Sequence, residues 1–373
     1  MRKKRVKTLI LFVVSGLMGL IIQAQPFFAL NPGNVTANQI TIKIAQTTTP
    51  SLRTLAAERG IKIGTAVRDL PLKNEPNYQK TLAEQFNIIT PENVMKFEPL
   101  RPTPDSYNFE KADEMVAFAS RNKMNLRGHV LVWHNQLPKW LKEKKLSRDE
   151  AISILRDHIY KVVGHYRGQI MAWDVVNEAM ADDGRLRNTI WLQTIGPEYI
   201  EMAFRWAHEA DPDAKLFYND YGGEGRGRKS DAIYRLVEQL LLKKVPIDGV
   251  GLQMHVGLNY TPRPQEIANN MLRLSELGLE VHITEMDVKI QDGYGTRKER
   301  LVAQANIYRQ MLQVCLKASN CKAFVMWGFT DAHSWIPQFT NRPDAALIFD
   351  ENYQPKPAFY ALVELLRQPV EVR

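Results

Sequence analysis

The chain has 373 residues, of which 45% are hydrophobic and 24% charged, a globular composition with room for a large core and unlike that of a disordered or fibrous chain. Its formal charge of +8 falls to +3 once the five basic residues of the first 24 are set aside, and beyond them only "LKEKKLSR" is mildly basic. Nucleic acid is therefore excluded as an expected partner.

In chain order, "MRKKRVK" is a basic n-region and "TLILFVVSGLMGLII" an apolar stretch of 15 residues, followed by small residues at Ala24 and Ala29. This is the layout of a secretory signal peptide over 1–24, short for a membrane span. It implies a secreted or periplasmic protein with no membrane contact after cleavage; an uncleaved anchor is the alternative. No Cys directly follows the apolar run, which argues against a lipoprotein. Residues 25–50, rich in Thr, Asn and Gln, read as a polar spacer.

From Ser51 onward, strands are predicted at 61–67, 87–90, 125–133, 170–178, 215–221, 247–256, 279–288 and 322–330. Helices are predicted at 76–86, 109–122, 148–164, 199–210, 228–243, 264–277, 299–318 and 356–367. Phe109, Ala112, Met115, Val116 and Ala119 recur at helical spacing, which marks a core-facing stripe. Eight strands each followed by a helix, over about 320 residues, is the count of a single (β/α)8 barrel. An open doubly wound sheet would carry a Gly-rich fingerprint after its first strand, and "GTAVRDLP" is not one. "GGEGRG" (222–227) lacks the ending of a phosphate loop and reads as a mobile loop. Cys315 and Cys321, near the end of a predicted helix, are a disulfide candidate in an exported protein, with two free buried thiols as the alternative. They lack the further ligands of a zinc site.

Barrel active sites gather at the C-terminal ends of strands. Those ends carry Glu92, Asn93 and Lys96 after the second strand, and His129, Trp133 and His134 on the third. Asn177 and Glu178 end the fourth, Asn219 and Tyr221 the fifth, and Gln253 and His255 the sixth. Glu285 and Asp287 end the seventh, and Trp327 and Trp335 belong to the eighth and its loop. One carboxylate in such a place is ordinarily a salt-bridged rim residue. The repetition around a single rim points to a site. Glu178 and Glu285 face each other across the mouth, and two facing carboxylates are what glycoside hydrolysis needs. One donates a proton to the leaving oxygen; the other attacks the anomeric carbon or activates water. Nearby amides, imidazoles and a Lys can bond sugar hydroxyls, and indoles can stack on pyranose faces. His129 and His134, five apart, point to opposite faces of a strand and cannot share a metal. No metal and no cofactor is expected. His282 and His333 receive no role, while His158, His165 and His208, on helices, read as structural.

"GHVLVWHNQLP", "WDVVNEAM…DDG", "FYNDY", "GLQMHVG", "VHITEMDV" and "WGFTDAHSWIP" together resemble the family 10 glycoside hydrolases, the endo-β-1,4-xylanases. "SLRTLAAERGIKIGTAV" resembles the start of that domain and "NYQPKPAFYAL" its end, so the resemblance covers about 51–368, with 369–373 left as a tail. It implies Glu178 as general acid/base and Glu285 as nucleophile. It implies Asn177 on the 2-hydroxyl of the −1 sugar, and His255 on Glu285 with Asp287 holding the imidazole. His129, Lys96, Trp133 and Gln253 would line the −1 sugar, and Glu92 and Asn93 the −2 sugar. Trp327 and Trp335 would wall the glycone side, Tyr221 would stack in the +1 subsite, and Gln136 with Trp335 would crowd the C5 position that separates xylose from glucose. Two departures stand out: Phe97 where a Trp is common, expected to change packing only, and Gly222 where an Asn is common, which leaves the aglycone contacts of that loop open.

The expectation is a monomeric, cofactor-free, retaining endo-β-1,4-xylanase acting on xylan or xylo-oligosaccharides. A β-1,4-glucanase or mixed-specificity hydrolase is the alternative within enzymes. A carbohydrate-binding or inhibitor protein on a dead barrel is opposed by the presence of both glutamates. A metal-dependent hydrolase is opposed by the lack of ligand spacing.

Overall fold

Eight of the nine strands in residues 51–369, the part that the computed structural model describes, close into one parallel barrel. In chain order the strands are β1 (Lys62–Val67), β2 (Ile88–Pro91), β3 (Asn125–Val132), β4 (Ala172–Asn177), β5 (Lys215–Asp220), β6 (Gly249–Leu252), β7 (His255–Gly257), β8 (Glu280–Lys289) and β9 (Cys321–Met326). Neighbours pair in sequence from β1 to β6, β9 pairs with β1 and β8, and β6 pairs with β8 to close the ring. The three-residue β7 lies outside it, against the far end of β8. The expected (β/α)8 architecture is the observed one. The proposed leader at 1–24, the spacer at 25–50 and all of the tail but residue 369 lie outside the described residues.

Local chemistry sets the helices between the strands. Ser147 with Glu150 and Thr296 with Glu299 form capping boxes that start the helices Arg148–His165 and Arg297–Lys317. Proline occupies the first turn of Pro76–Gln85, Pro264–Glu276 and Pro357–Arg367, where its missing N–H is harmless. The stripe predicted on Glu110–Arg121 faces the core through Ala112, Met115 and Ala119, with Phe118 beside them. Cys315, on Arg297–Lys317, and Cys321, in β9, form a disulfide.

The barrel interior is polar where sequence patterning gave no warning. Arg127, fully buried on β3, makes a bidentate pair with Asp174 of β4, lies 2.8 Å from His282 Nδ1 and stacks over Phe217. Asp174 Oδ2 also bonds His129 Nδ1 at 3.0 Å. Burial would raise the Asp174 carboxyl, but Arg127 and His129 outweigh it and hold it below the usual range. Burial and Arg127 together keep His282 neutral. This column runs from the barrel centre toward the C-terminal rim.

Three expectations need correction. The fourth strand ends at Asn177, not Glu178, because Glu178 turns to a left-handed φ of +55°. The sixth segment is broken: Met254, at φ +64°, separates β6 from β7, and its N–H bonds Glu224 at 3.1 Å. The "GGEGRG" loop, expected to be mobile, is tied by hydrogen bonds over its first three residues. Glu224, 5% exposed, accepts from the Gly222 and Met254 N–H groups, and Asn270 donates to the carbonyls of Gly223 and Glu224.

Candidate active site

The rim brings the two glutamates to opposite flanks of one cluster of side-chain amides. Asn177 and Asn219 are register partners on β4 and β5, and Gln253 follows β6. Asn219 Nδ2 donates to Glu285 Oε1 at 2.7 Å, and Gln253 Nε2 donates to Glu178 Oε1 at 3.1 Å. The Asn177 amide lies between them, 2.9 Å from Asn219 Nδ2 and 3.1 Å from Gln253 Nε2. Thr284 donates to Asn219 Oδ1 at 2.7 Å, which fixes that amide with its N–H groups toward Glu285. A Cβ at Gly251 would fall 2.1 Å from Asn219 Oδ1, so only glycine leaves the amide its place.

Glu285 is buried, and His255 lies between it and Asp287. The ring Nε2 is 3.1 Å from Glu285 Oε2 and Nδ1 is 2.9 Å from Asp287 Oδ2. Burial opposes charging of this imidazole, but Asp287 and Glu285 outweigh it and hold its pKa well above 6.5. A charged His255 donates to both carboxylates. Trp335 Nε1 donates to the same Asp287 oxygen at 2.8 Å. The rings of Trp335 and Trp327 stand edge-on to His255, and Trp327 also stands edge-on to His129 at 5.1 Å.

Glu178 is half-buried and held through its backbone. Its N–H donates to the Asn219 carbonyl at 2.9 Å, and its own carbonyl accepts from Arg187 Nε at 2.8 Å. These bonds stabilise a backbone conformation that a non-glycine residue rarely adopts. Trp133 Nε1 donates to its Oε2 at 2.9 Å, opposite the Gln253 bond.

On the β2–β3 flank, Asn93 Oδ1 accepts from Lys96 at 3.1 Å and from Gln136 at 3.3 Å, while Asn93 Nδ2 donates to Glu92 at 3.2 Å. Lys96 Nζ lies 4.9 Å from the Trp133 ring centre. Burial pushes the Lys96 ammonium down, opposed by attraction from Glu285, Glu92 and Glu178. Burial also raises Glu92, opposed by Arg68 and Lys96. On the other flank, the Tyr221 hydroxyl accepts from Arg187 at 3.0 Å. The predicted site residues thus fall into one contiguous network. Reading the sequence alone assigns no role to Asn219, Thr284 or Arg187. Asn219 was visible as a strand-end amide, but Arg187 lies in an irregular loop with no periodic signal.

The arrangement offers two carboxylates with different donors, a cluster of neutral amides, the buried Lys96 ammonium and indole walls. Among the described residues no group of three or more His, Cys, Asp or Glu is arranged to hold a metal ion.

The profile described as "Glycosyl hydrolase family 10" matches residues 51–365. Endo-1,4-beta-xylanase B of Thermotoga neapolitana is 46% identical over 327 residues, covering 86% of this chain and 93% of that protein. An exoglucanase, XynX, of Acetivibrio thermocellus is 39% identical over 346 residues, covering 89% of this chain and 31% of that protein. Among solved structures, xylanase 10B from Thermotoga petrophila in complex with xylobiose superposes with a TM-score of 0.83 at 45% identity, covering 85% of this chain and 97% of that one. By sequence profile, relatives and fold, this chain belongs to glycosyl hydrolase family 10.

Proposed function

We propose that this chain is a retaining endo-1,4-β-xylanase that cleaves internal bonds of xylan and xylo-oligosaccharides by double displacement. The observation that carries the reading is the pair of glutamates on either side of the Asn177–Asn219–Gln253 cluster, Glu285 bonded to the His255 imidazole and Glu178 to Trp133 and Gln253. Glu285 attacks the anomeric carbon and forms the glycosyl-enzyme, while Glu178 protonates the leaving oxygen. Glu178 then takes a proton from the attacking water in the second step. Asn177 bonds the 2-hydroxyl of the −1 sugar. Gln253, His129, Lys96 and Trp133 surround that sugar, and Glu92 and Asn93 bond the next one. Tyr221 stacks on the sugar that leaves. The xylanase names of the relatives and the xylobiose in the related structure support this substrate class.

Residues 51–368 are the catalytic barrel, 1–24 an export signal, 25–50 a spacer and 369–373 a tail. A disulfide suits an oxidising compartment, which supports export to the periplasm or medium. The name of the exoglucanase relative keeps a mixed β-1,4 specificity as the second reading. Reducing-sugar release from xylan against soluble cellulose decides between them. Strong release from xylan with little from cellulose is expected, and comparable release from both would favour the second reading.

A further inference from the structure

One buried cation beside the site has no part in the mechanism above. Lys229, in the first turn of the helix Arg228–Leu242, has a side chain only 5% exposed. Its Nζ lies 3.0 Å from Asp220 Oδ1, 3.2 Å from Asp182 Oδ1 and 3.4 Å from the centre of the Tyr221 ring. Asp220 is buried and acts as a hub. It accepts from the Tyr221 N–H at 2.9 Å, the Tyr218 hydroxyl at 2.5 Å and the Met180 N–H at 3.3 Å. Arg187 completes the frame, donating to the Tyr221 hydroxyl and to the carbonyls of Glu178 and Met180.

A buried ion pair is a poor source of stability, since packed apolar residues of similar volume serve as well. This one joins three pieces of the site: the loop after Glu178, the end of β5 and the Tyr221 ring. We propose that Lys229 is a positioning residue that fixes the Tyr221 ring against the Glu178 loop and thereby sets how tightly the aglycone sugar, leaving or arriving, is held. The proposal rests on the reading of Glu178 as acid/base and Tyr221 as an aglycone stacking face. An ammonium on one ring face orients the ring plane through cation–π attraction, and a sugar stacking on Tyr221 would take the opposite face. Residue 222 adds no side chain to this support. A Cβ on Gly222 would come 3.6 Å from Lys229 Cδ, and the glycine leaves that space bare.

The test uses β-xylobiosyl fluoride as donor, whose leaving group occupies no aglycone subsite, with added xylobiose as acceptor competing with water. In Lys229→Met the half-saturating acceptor concentration should rise about tenfold, while hydrolysis of the fluoride alone falls less than about twofold. The double variant Lys229→Met, Asp220→Asn removes both charges together and should give the same split, so an unfolded single variant does not end the test. An unchanged acceptor constant overturns the proposal. Equal losses in hydrolysis and acceptor use also overturn it, since they mark a general structural role. A wild type inert toward the fluoride refutes the mechanism beneath the proposal, and the proposal with it.

Discussion

Glu178 and Glu285 differ in what faces them, and that difference assigns their proposed roles. Glu285 meets a positively charged His255 and the amide of Asn219, partners that suit a carboxylate which attacks as an anion. Glu178 meets the neutral donors Trp133 and Gln253, which orient it without opposing the gain and loss of a proton. Away from the rim, one residue carries a cost. His158 is wholly buried, neither ring nitrogen has a partner, and it stacks on Phe97 at 3.9 Å, so Phe97 acts in packing. Burial drives the His158 pKa down to about 3 from an unfolded value near 6.5. Between those values the unfolded chain binds more protons, so stability is full above the upper one and falls as pH drops toward the lower. His158→Phe should remove roughly 5 kcal/mol of that acid sensitivity at full extent. Tm measured at pH 7 and pH 4 checks this: the variant should lose less on acidification than wild type, and equal losses would reject the account. The two glutamates were legible because each follows a run of apolar residues in its strand segment. The role of Asn219 was not, because it depends on its register with Asn177 and on the missing side chain at Gly251.

At the scale of elements, irregularities in the strands bring neighbouring residues into one site. Strict alternation would send Thr284 and Glu285 to opposite faces of β8, yet both bond Asn219. The register shift between Ile283 and Met286 is where the parity changes. The left-handed Glu178 achieves the same for Asn177 and Glu178. Sequence periodicity finds strands and long helices well, but a one-residue shift in parity leaves no trace in it. Short helices such as Asp69–Asn74, Lys139–Glu143 and Ile336–Thr340 also escape, being too brief to show a period. The loops after β3 and β9 carry the expected discrimination at C5. Trp335 is a poor probe of it, because its N–H holds Asp287 and its loss would lower turnover of every substrate. The Gln136 side chain bonds only Asn93, and the residue is exposed. Gln136→Ala should narrow the xylobioside-to-cellobioside ratio of kcat/KM by improving the cellobioside, roughly 10-fold or more. A parallel fall for both substrates would mean that Gln136 holds sugar without excluding the hydroxymethyl group.

For the molecule as a whole, a closed ring of parallel strands delivers side chains from six or more chain segments to one rim without a flexible joint. The buried column of Arg127, Asp174 and His129 extends that rigidity below the site, since His129 is fixed by a carboxylate that is itself fixed. The strand count and the charged strand ends revealed the barrel and its rim in advance. The column was hidden because Arg127, Asp174 and His282 stand far apart in sequence, and only closure of the ring brings them together. The proposed chemistry follows from this rigidity. A covalent intermediate with net retention calls for two carboxyls about 5–5.5 Å apart, a separation that needs rigid support. The direct test is to trap that intermediate with 2-deoxy-2-fluoro-β-xylobiosyl fluoride and locate the label by peptide mass spectrometry. The account predicts a single xylobiosyl adduct on Glu285, accumulating as activity is lost. A label on Glu178, or inactivation without any covalent adduct, would contradict it.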